Sequence, residues 1–357
     1  MSARWDVRRV QEGSSMIQSI QAAAITSCAN SFPEEIRPNS YFYEQLGLET
    51  NDEWIRSRTG VQERRAVRAE QGETCGTISA EAARRCIELR GIDPEEIDAV
   101  ILATISGDLG FPATACLVQD IIGAKNAFAF DISGACTGYL YTLATAAAMV
   151  ECGRFRKVLA IGAEAMSAIL DYNERTTSIL FGDGAGATLI EAVPDSHPGR
   201  ILDIQMGTDG SGAKHLYRTG GGSLHLPGAD HPDFPKTAKV YQNGRVVYRL
   251  AVQRMSQVIE QMLERNRLTL DDIGLIVPHQ ANIRIIDAVC ERLSVSKEKV
   301  AIYVDRFANT TAATLPTSMR LAVDEGRVAE GDLVLLATFG AGLTWGAGLL
   351  RWAGAPK

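Results

Sequence analysis

The chain has no run of the roughly 18 apolar residues that a helical membrane span requires, no C-x-x-C pair and no G-x-x-x-x-G-K-[ST] loop. These gaps argue against a helical membrane protein, a thiolate metal ribbon and a P-loop nucleotide enzyme. An excess of basic charge is also missing. With 36 Lys+Arg against 43 Asp+Glu and a formal net charge of −7, no domain-wide positive field exists to collect nucleic-acid phosphates. Histidine is scarce at five residues, and four of those fall in the polar region 192–240. Only His279 follows an apolar, strand-like run. Residues 1–15 lack the apolar core of a signal peptide, so the sequence is read as cytoplasmic, with 1–15 a disordered extension or expression remnant and Met16 an alternative start.

What is present suits a large packed core: 46% of the residues are hydrophobic, and 357 residues suit two domains or two halves sharing one core. The seven cysteines are odd in number and scattered through apolar segments, which fits free thiols in a reducing compartment better than disulfides or a metal site. Apolar strands alternate with helical patterns, the signature of an α/β sheet with buried strands. Residues 192–240, rich in Gly and Pro, read as crossover and surface loops.

An internal echo runs through this pattern. GIDPEEIDAVILAT (91–104) resembles RLTLDDIGLIVPHQ (267–280), and Ile97 and Ile273 differ by 176 positions (273 − 97). Cys136 precedes Gly153-Arg154 by 17 residues (153 − 136), and Asn309 precedes Gly326-Arg327 by 17 (326 − 309). The chain therefore reads as a duplicated α/β unit, 16–195 and 196–357, with Asn309 in the second half where Cys136 sits in the first.

Three residues carry the candidate chemistry. Cys136 follows an apolar strand and opens a helix, where unpaired backbone N–H groups favour a thiolate and can hold an oxyanion; a buried inert thiol is the alternative. His279, in VPHQAN, fits a satisfied structural imidazole as readily as a functional one. Asn309, in RFANTTAAT, fits an N-cap as well as a reacting group. The glycine-rich FGDGAGA (181–187) reads as a tight turn with close backbone approach.

Taken together, GACTG, PHQAN, ANTTAAT, FGDGAGA and FGAGLTWG resemble the β-ketoacyl-acyl carrier protein synthase III family, in its order and spacing, from about Met16 to Trp352. The resemblance implies a thiolase-like duplicated fold, layered α-β-α-β-α with two mixed five-stranded sheets. It implies decarboxylative condensation of an acyl-CoA with malonyl-acyl carrier protein at the start of fatty acid synthesis, in a homodimer with no metal and no tightly bound cofactor. By the same resemblance Cys136 is the acyl-accepting nucleophile, His279 and Asn309 assist decarboxylation, and the backbone at Cys136 and Ala341 forms the oxyanion site. Trp54, Arg58, Arg175 and Asn282 are implied at the CoA site, Phe111 and Phe181 at the acyl pocket, Phe111 reaching in from the partner subunit. Arg249 and Arg284 are implied in carrier-protein docking. A relative that primes a polyketide pathway, or transfers acyl groups without condensation, fits the same residues. Two departures stand out. Ala341 and Ala308 replace glycines of the family's pattern, and alanine is strained wherever the backbone must take a positive φ.

Overall fold

The computed structural model describes residues 21–224, 231–237 and 239–354; the expectation for 1–15 lies outside them. Strand β1 (Gln21–Ser31) is followed by a small antiparallel pair, β2 (Glu35–Pro38) with β3 (Glu63–Ala66), which brackets helix α1 (Asp52–Thr59). Helix α2 (Cys75–Arg90) begins at a Thr74 capping box and stops at Gly91, whose φ of 70° is a left-handed value that glycine adopts without strain. Then come β4 (Ala99–Ala103), α3 (Thr114–Ile121), β5 (Phe128–Ile132), α4 (Gly138–Glu151), β6 (Lys157–Glu164), the short α5 (Arg175–Ser178) and β7 (Gly184–Pro194). Five of these strands form one mixed sheet in the order β1-β7-β6-β4-β5, with β6, β4 and β5 parallel. All five residues of β4 are buried, as expected of a strand covered on both faces.

The second half opens on β8 (Arg200–Thr208), inside the stretch expected to be loop; a short alternating strand between a His-Pro-Gly turn and a glycine gave little signal. A two-residue ladder joins β9 (Leu216–Tyr217) to β10 (Tyr241–Gln242). Next are α6 (Gly244–Asn266), β11 (Leu275–Pro278), α7 (Ile283–Leu293), the one-turn α8 (Val304–Phe307), α9 (Thr314–Asp324), β12 (Leu333–Gly340) and β13 (Thr344–Arg351). The second sheet runs β11-β12-β13-β8. It is one strand short of the expected five, because only an isolated bridge, Ile276 to Val300, stands where the first sheet has β5.

The layers follow from which faces are apolar. Helices α4 and α9 lie between the sheets and share one core with strands of both; α2 and α3 cover the outer face of the first sheet, and α6 and α7 that of the second. The α-β-α-β-α thiolase-like architecture is thus as expected. The duplication is more exact than the sequence suggested. Gly91 and Arg267, both left-handed helix caps, differ by 176 (267 − 91), and the ends of β6 and β12, Glu164 and Gly340, differ by the same 176 (340 − 164).

Candidate active site

That constant offset corrects the pairing of the half-sites. The turn Ala135–Thr137 before α4 corresponds to Thr311–Ala313 before α9, and Ala135 and Thr311 share an unusual left-handed φ, 45° and 46°. Cys136 therefore matches Ala312, and Asn309 matches Ser133. The 17-residue echo misled by one helical turn, because α9 has 11 residues where α4 has 14. Asn309 approaches the site from just before the turn, and Cys136 stands within it.

Cys136, His279 and Asn309 nonetheless meet, all lining one cavity together with Ala341 and Phe181. Gly340, at the end of β12, closes on the cysteine: a Cβ there would sit 3.0 Å from the Cys136 N and 3.1 Å from its Cβ, so a side chain would press the cysteine turn back by a few tenths of an ångström. Thr338 Oγ1 donates to the Cys136 carbonyl at 2.9 Å, tying the turn to the same strand. Ala341 carries none of the strain its substitution threatened, since its φ is not positive; the left-handed residue is Gly342, at 138°. Ala308 does carry it, with φ 56° and ψ −157°, a region otherwise left to glycine.

Burial sets the electrostatics. The Cys136 thiol is pushed up to about 12, first by burial and then by the neighbouring Glu164 carboxyl. This overturns the expectation that a helix start keeps it ionised. A helix terminus contributes at most about 2 kcal/mol, roughly one and a half pH units, whereas full burial moves a group by about 3 to 5. Burial likewise pulls His279 down to about 3, so its imidazole is neutral. Glu164 is raised to about 7 by burial, although it accepts bonds from Ser106 Oγ, the Ile105 N–H and Thr104 Oγ1. Those bonds hold the 104–106 loop, which brings Ile105 to the cavity wall.

Asn309 is anchored on both sides. Its Oδ1 accepts the Thr311 N–H at 2.9 Å, and its backbone bridges to Phe181, whose side chain lines the cavity. Arg64, almost fully buried, steadies that segment by donating to the Ile179 carbonyl at 2.9 Å.

A second cleft leads outward from the cavity. Leu180, Gln242 and Asn282 line both, and the outer part adds Arg58, Arg245 and Arg284. Asn282 also caps α7, its Oδ1 accepting the Ile285 N–H at 3.0 Å. Beside the cleft the Trp54 ring carries two guanidinium groups, Arg58 at 4.4 Å and Arg175 at 4.5 Å from its centroid. Arg249 is exposed on α6, one turn beyond Arg245 and outside the cleft lining, and Arg284 reaches over Tyr248 at 5.7 Å. Phe111 is not in the chain's own cavity; it is 89% exposed in the loop before α3. Sequence reasoning missed Glu164, Arg245 and Thr314. The 176-residue offset was the signal that could have found Glu164 and Thr314, opposite Gly340 and Gly138.

Among the described residues no cluster of three His, Cys, Asp or Glu side chains is arranged to hold a metal, and no helix is long and apolar enough to cross a membrane. Residues 130–210 match the family described as 3-oxoacyl-[acyl-carrier-protein] synthase III, and residues 263–352 match its C-terminal counterpart. The chain is 46% identical over 331 residues to a β-ketoacyl-[acyl-carrier-protein] synthase III of Chlorobium chlorochromatii, covering 92% of this chain and 99% of the relative. It is similar to the crystal structure of the corresponding Thermus thermophilus protein, with 43% identity, a TM-score of 0.85 and coverage of 93% and 100%. It also resembles a priming β-ketosynthase from a polyketide pathway, with 30% identity, a TM-score of 0.86 and coverage of 97% and 100%.

Proposed function

Because the chain belongs to the β-ketoacyl-acyl carrier protein synthase III family, an acyl-transferring condensing enzyme of fatty acid synthesis, we propose that its chemistry runs between Cys136, His279 and Asn309. The carrying observation is that these three converge on one enclosed cavity reached through an arginine-lined cleft. Cys136 sulfur attacks the thioester carbonyl of an acyl-CoA, its proton ends on the departing CoA sulfur, and an acyl-cysteine remains. The N–H groups of Cys136 and Ala341 hold the oxyanion of that step.

Malonyl-carrier protein follows through the same cleft. Its C–CO₂⁻ bond breaks, CO₂ leaves, and the electron pair forms an enolate whose oxygen takes hydrogen bonds from His279 and Asn309. The α-carbon then attacks the acyl-cysteine carbonyl and expels the Cys136 sulfur, giving a 3-ketoacyl product. A neutral His279 suits this role, since decarboxylation here needs a hydrogen-bond donor and no base. Trp54, Arg58, Arg175 and Asn282 bind CoA. The guanidinium over Trp54 must yield one ring face to the adenine, and the arginines suit its phosphates. Arg249 and Arg284 meet the acidic carrier protein. Neither substrate calls for a metal or a tightly held cofactor.

The active form is a homodimer. Strand β5 is an edge with half-exposed Phe130, and α4 turns Tyr141, Ala144, Ala148 and Met149 outward as an uncharged stripe beside it. Edge pairing of β5 with its copy covers this face. It brings the exposed Phe111 of one subunit to the acyl pocket of the other, where it works with Phe181. A protein carrying out this chemistry works in the cytoplasm, where both thioesters are made. Incubation with an acyl-CoA panel and malonyl-carrier protein should release CO₂ and a 3-ketoacyl-carrier protein. Acyl transfer to the carrier protein without CO₂ would contradict the reading and favour a non-condensing relative.

A further inference from the structure

The offset that pairs the half-sites also pairs two contacts. Gly138, the first residue of α4, lies against Ala103 at the end of β4: a Cβ on Gly138 would be 3.0 Å from the Ala103 Cβ. The equivalent positions are Thr314, the first residue of α9, and His279, just past the end of β11. The fold therefore presses residue 314 onto residue 279. Here the contact is a hydrogen bond, His279 Nδ1 to Thr314 Oγ1 at 2.7 Å, with both residues buried.

Thr314 has one hydroxyl proton and two acceptors in reach. The Thr311 carbonyl is 2.9 Å away, but it already accepts the backbone N–H of Thr314. Among the described residues Thr314 is the hydrogen-bond partner of His279 Nδ1. A neutral imidazole carries one proton, so the choice at Thr314 fixes the tautomer. If the hydroxyl donates to Nδ1, Nε2 carries the proton. If it donates to Thr311, Nδ1 must donate to Oγ1 and Nε2 presents a lone pair. The second arrangement keeps both contacts but leaves Nε2 with no proton to give; only the first supplies the donor that an enolate oxygen requires, so the role read for His279 selects it.

We propose that Thr314 is a positioning residue whose hydroxyl donates to His279 Nδ1, holding the imidazole in the Nε2–H tautomer with that proton facing the cavity. This rests on the reading of His279 as a hydrogen-bond donor in decarboxylation, and it adds the group that makes the donor available. Acylation of Cys136 does not need the Nε2 proton; stabilisation of the enolate oxygen does.

The test compares wild type with Thr314→Val, which is nearly isosteric, Thr314→Ala in case valine impairs folding, and Thr314→Ser. Acylation by acyl-CoA and decarboxylation of malonyl-carrier protein are measured separately. In parallel, ¹⁵N NMR of histidine-labelled protein reads the tautomer of His279, identified by the signal lost in His279→Ala. The expectation is Nε2–H in wild type and Thr314→Ser. In Thr314→Val or Thr314→Ala, the Nε2–H population falls and decarboxylation drops by about tenfold or more, while acylation stays within about twofold. An Nδ1–H tautomer in wild type, or variants without the hydroxyl that decarboxylate like wild type, overturns the proposal. If wild type itself neither acylates nor decarboxylates, the functional reading fails, and the tautomer signal still decides the role of Thr314.

Discussion

At the scale of single residues, burial outweighs helix placement. Cys136 sits in the turn just before α4, yet its thiol is held near 12 because desolvation exceeds what a helix terminus supplies. Alkylation of Cys136 by iodoacetamide, followed by peptide mass spectrometry, should therefore rise about tenfold per pH unit from pH 7 to 9 with no plateau. A plateau below pH 8 would restore the helix-stabilised thiolate. Cys136 and His279 were legible as candidates because each follows a strand at a turn, where α/β folds gather chemistry, and Asn309 because its turn opens a helix. Their mutual placement was not. The echo between the Gly-Arg pairs counted a shorter α9 as if it matched α4, and only a backbone shows that Ala312 stands opposite Cys136.

At the scale of elements, the ends of β6 and β12 hold the site from opposite halves. Gly340 lets the Cys136 backbone approach, and its counterpart Glu164 pins the 104–106 loop. The sequence marked β6 as a buried strand but gave no hint that its last residue is a fully buried carboxyl. Glu164 has a folded-state value raised to about 7 from 4.5, so the folded chain binds more protons than the unfolded one between those values. Its contribution is fully present below pH 4.5 and is lost as pH rises toward 7. His279 acts in the opposite sense: depressed to about 3 from 6.5, it makes stability fall as pH drops below 6.5. Glu164→Gln, which cannot ionise, should remove the first effect and leave the second. Urea unfolding at pH 5 and pH 8 should show the variant gaining stability relative to wild type at the higher pH, on the order of 1 kcal/mol or more. A constant difference between the two would show that Glu164 ionises alike in folded and unfolded chains.

At the scale of the whole molecule, the duplication leaves one difference that matters. The first sheet has an open edge at β5, and the second has only a bridge at the equivalent place. The two halves thus present unlike edges, and the one beside the uncharged stripe of α4 is the one that suits a copy of itself. Ala148→Glu places a charge in that stripe. Light scattering during size exclusion should show a dimer for wild type and a monomer for the variant, with condensation lost; a wild-type monomer that condenses at full rate would refute the shared pocket. The α/β class was legible from strand and helix alternation and the layering from the family resemblance, whereas the exposure of Phe111, outside the lining of the chain's own cavity, is visible only in the structure.

The central claim is that acyl transfer and decarboxylation belong to different residues of one cavity. Its most direct measurement is peptide mapping by mass spectrometry after brief exposure to acyl-CoA, on wild type, His279→Ala and Asn309→Ala, with CO₂ release from malonyl-carrier protein followed in the same samples. All three proteins should carry the acyl group on Cys136, and only wild type should release CO₂ at speed. An acyl group on any other cysteine, or variants that lose the adduct while still releasing CO₂, would contradict the account.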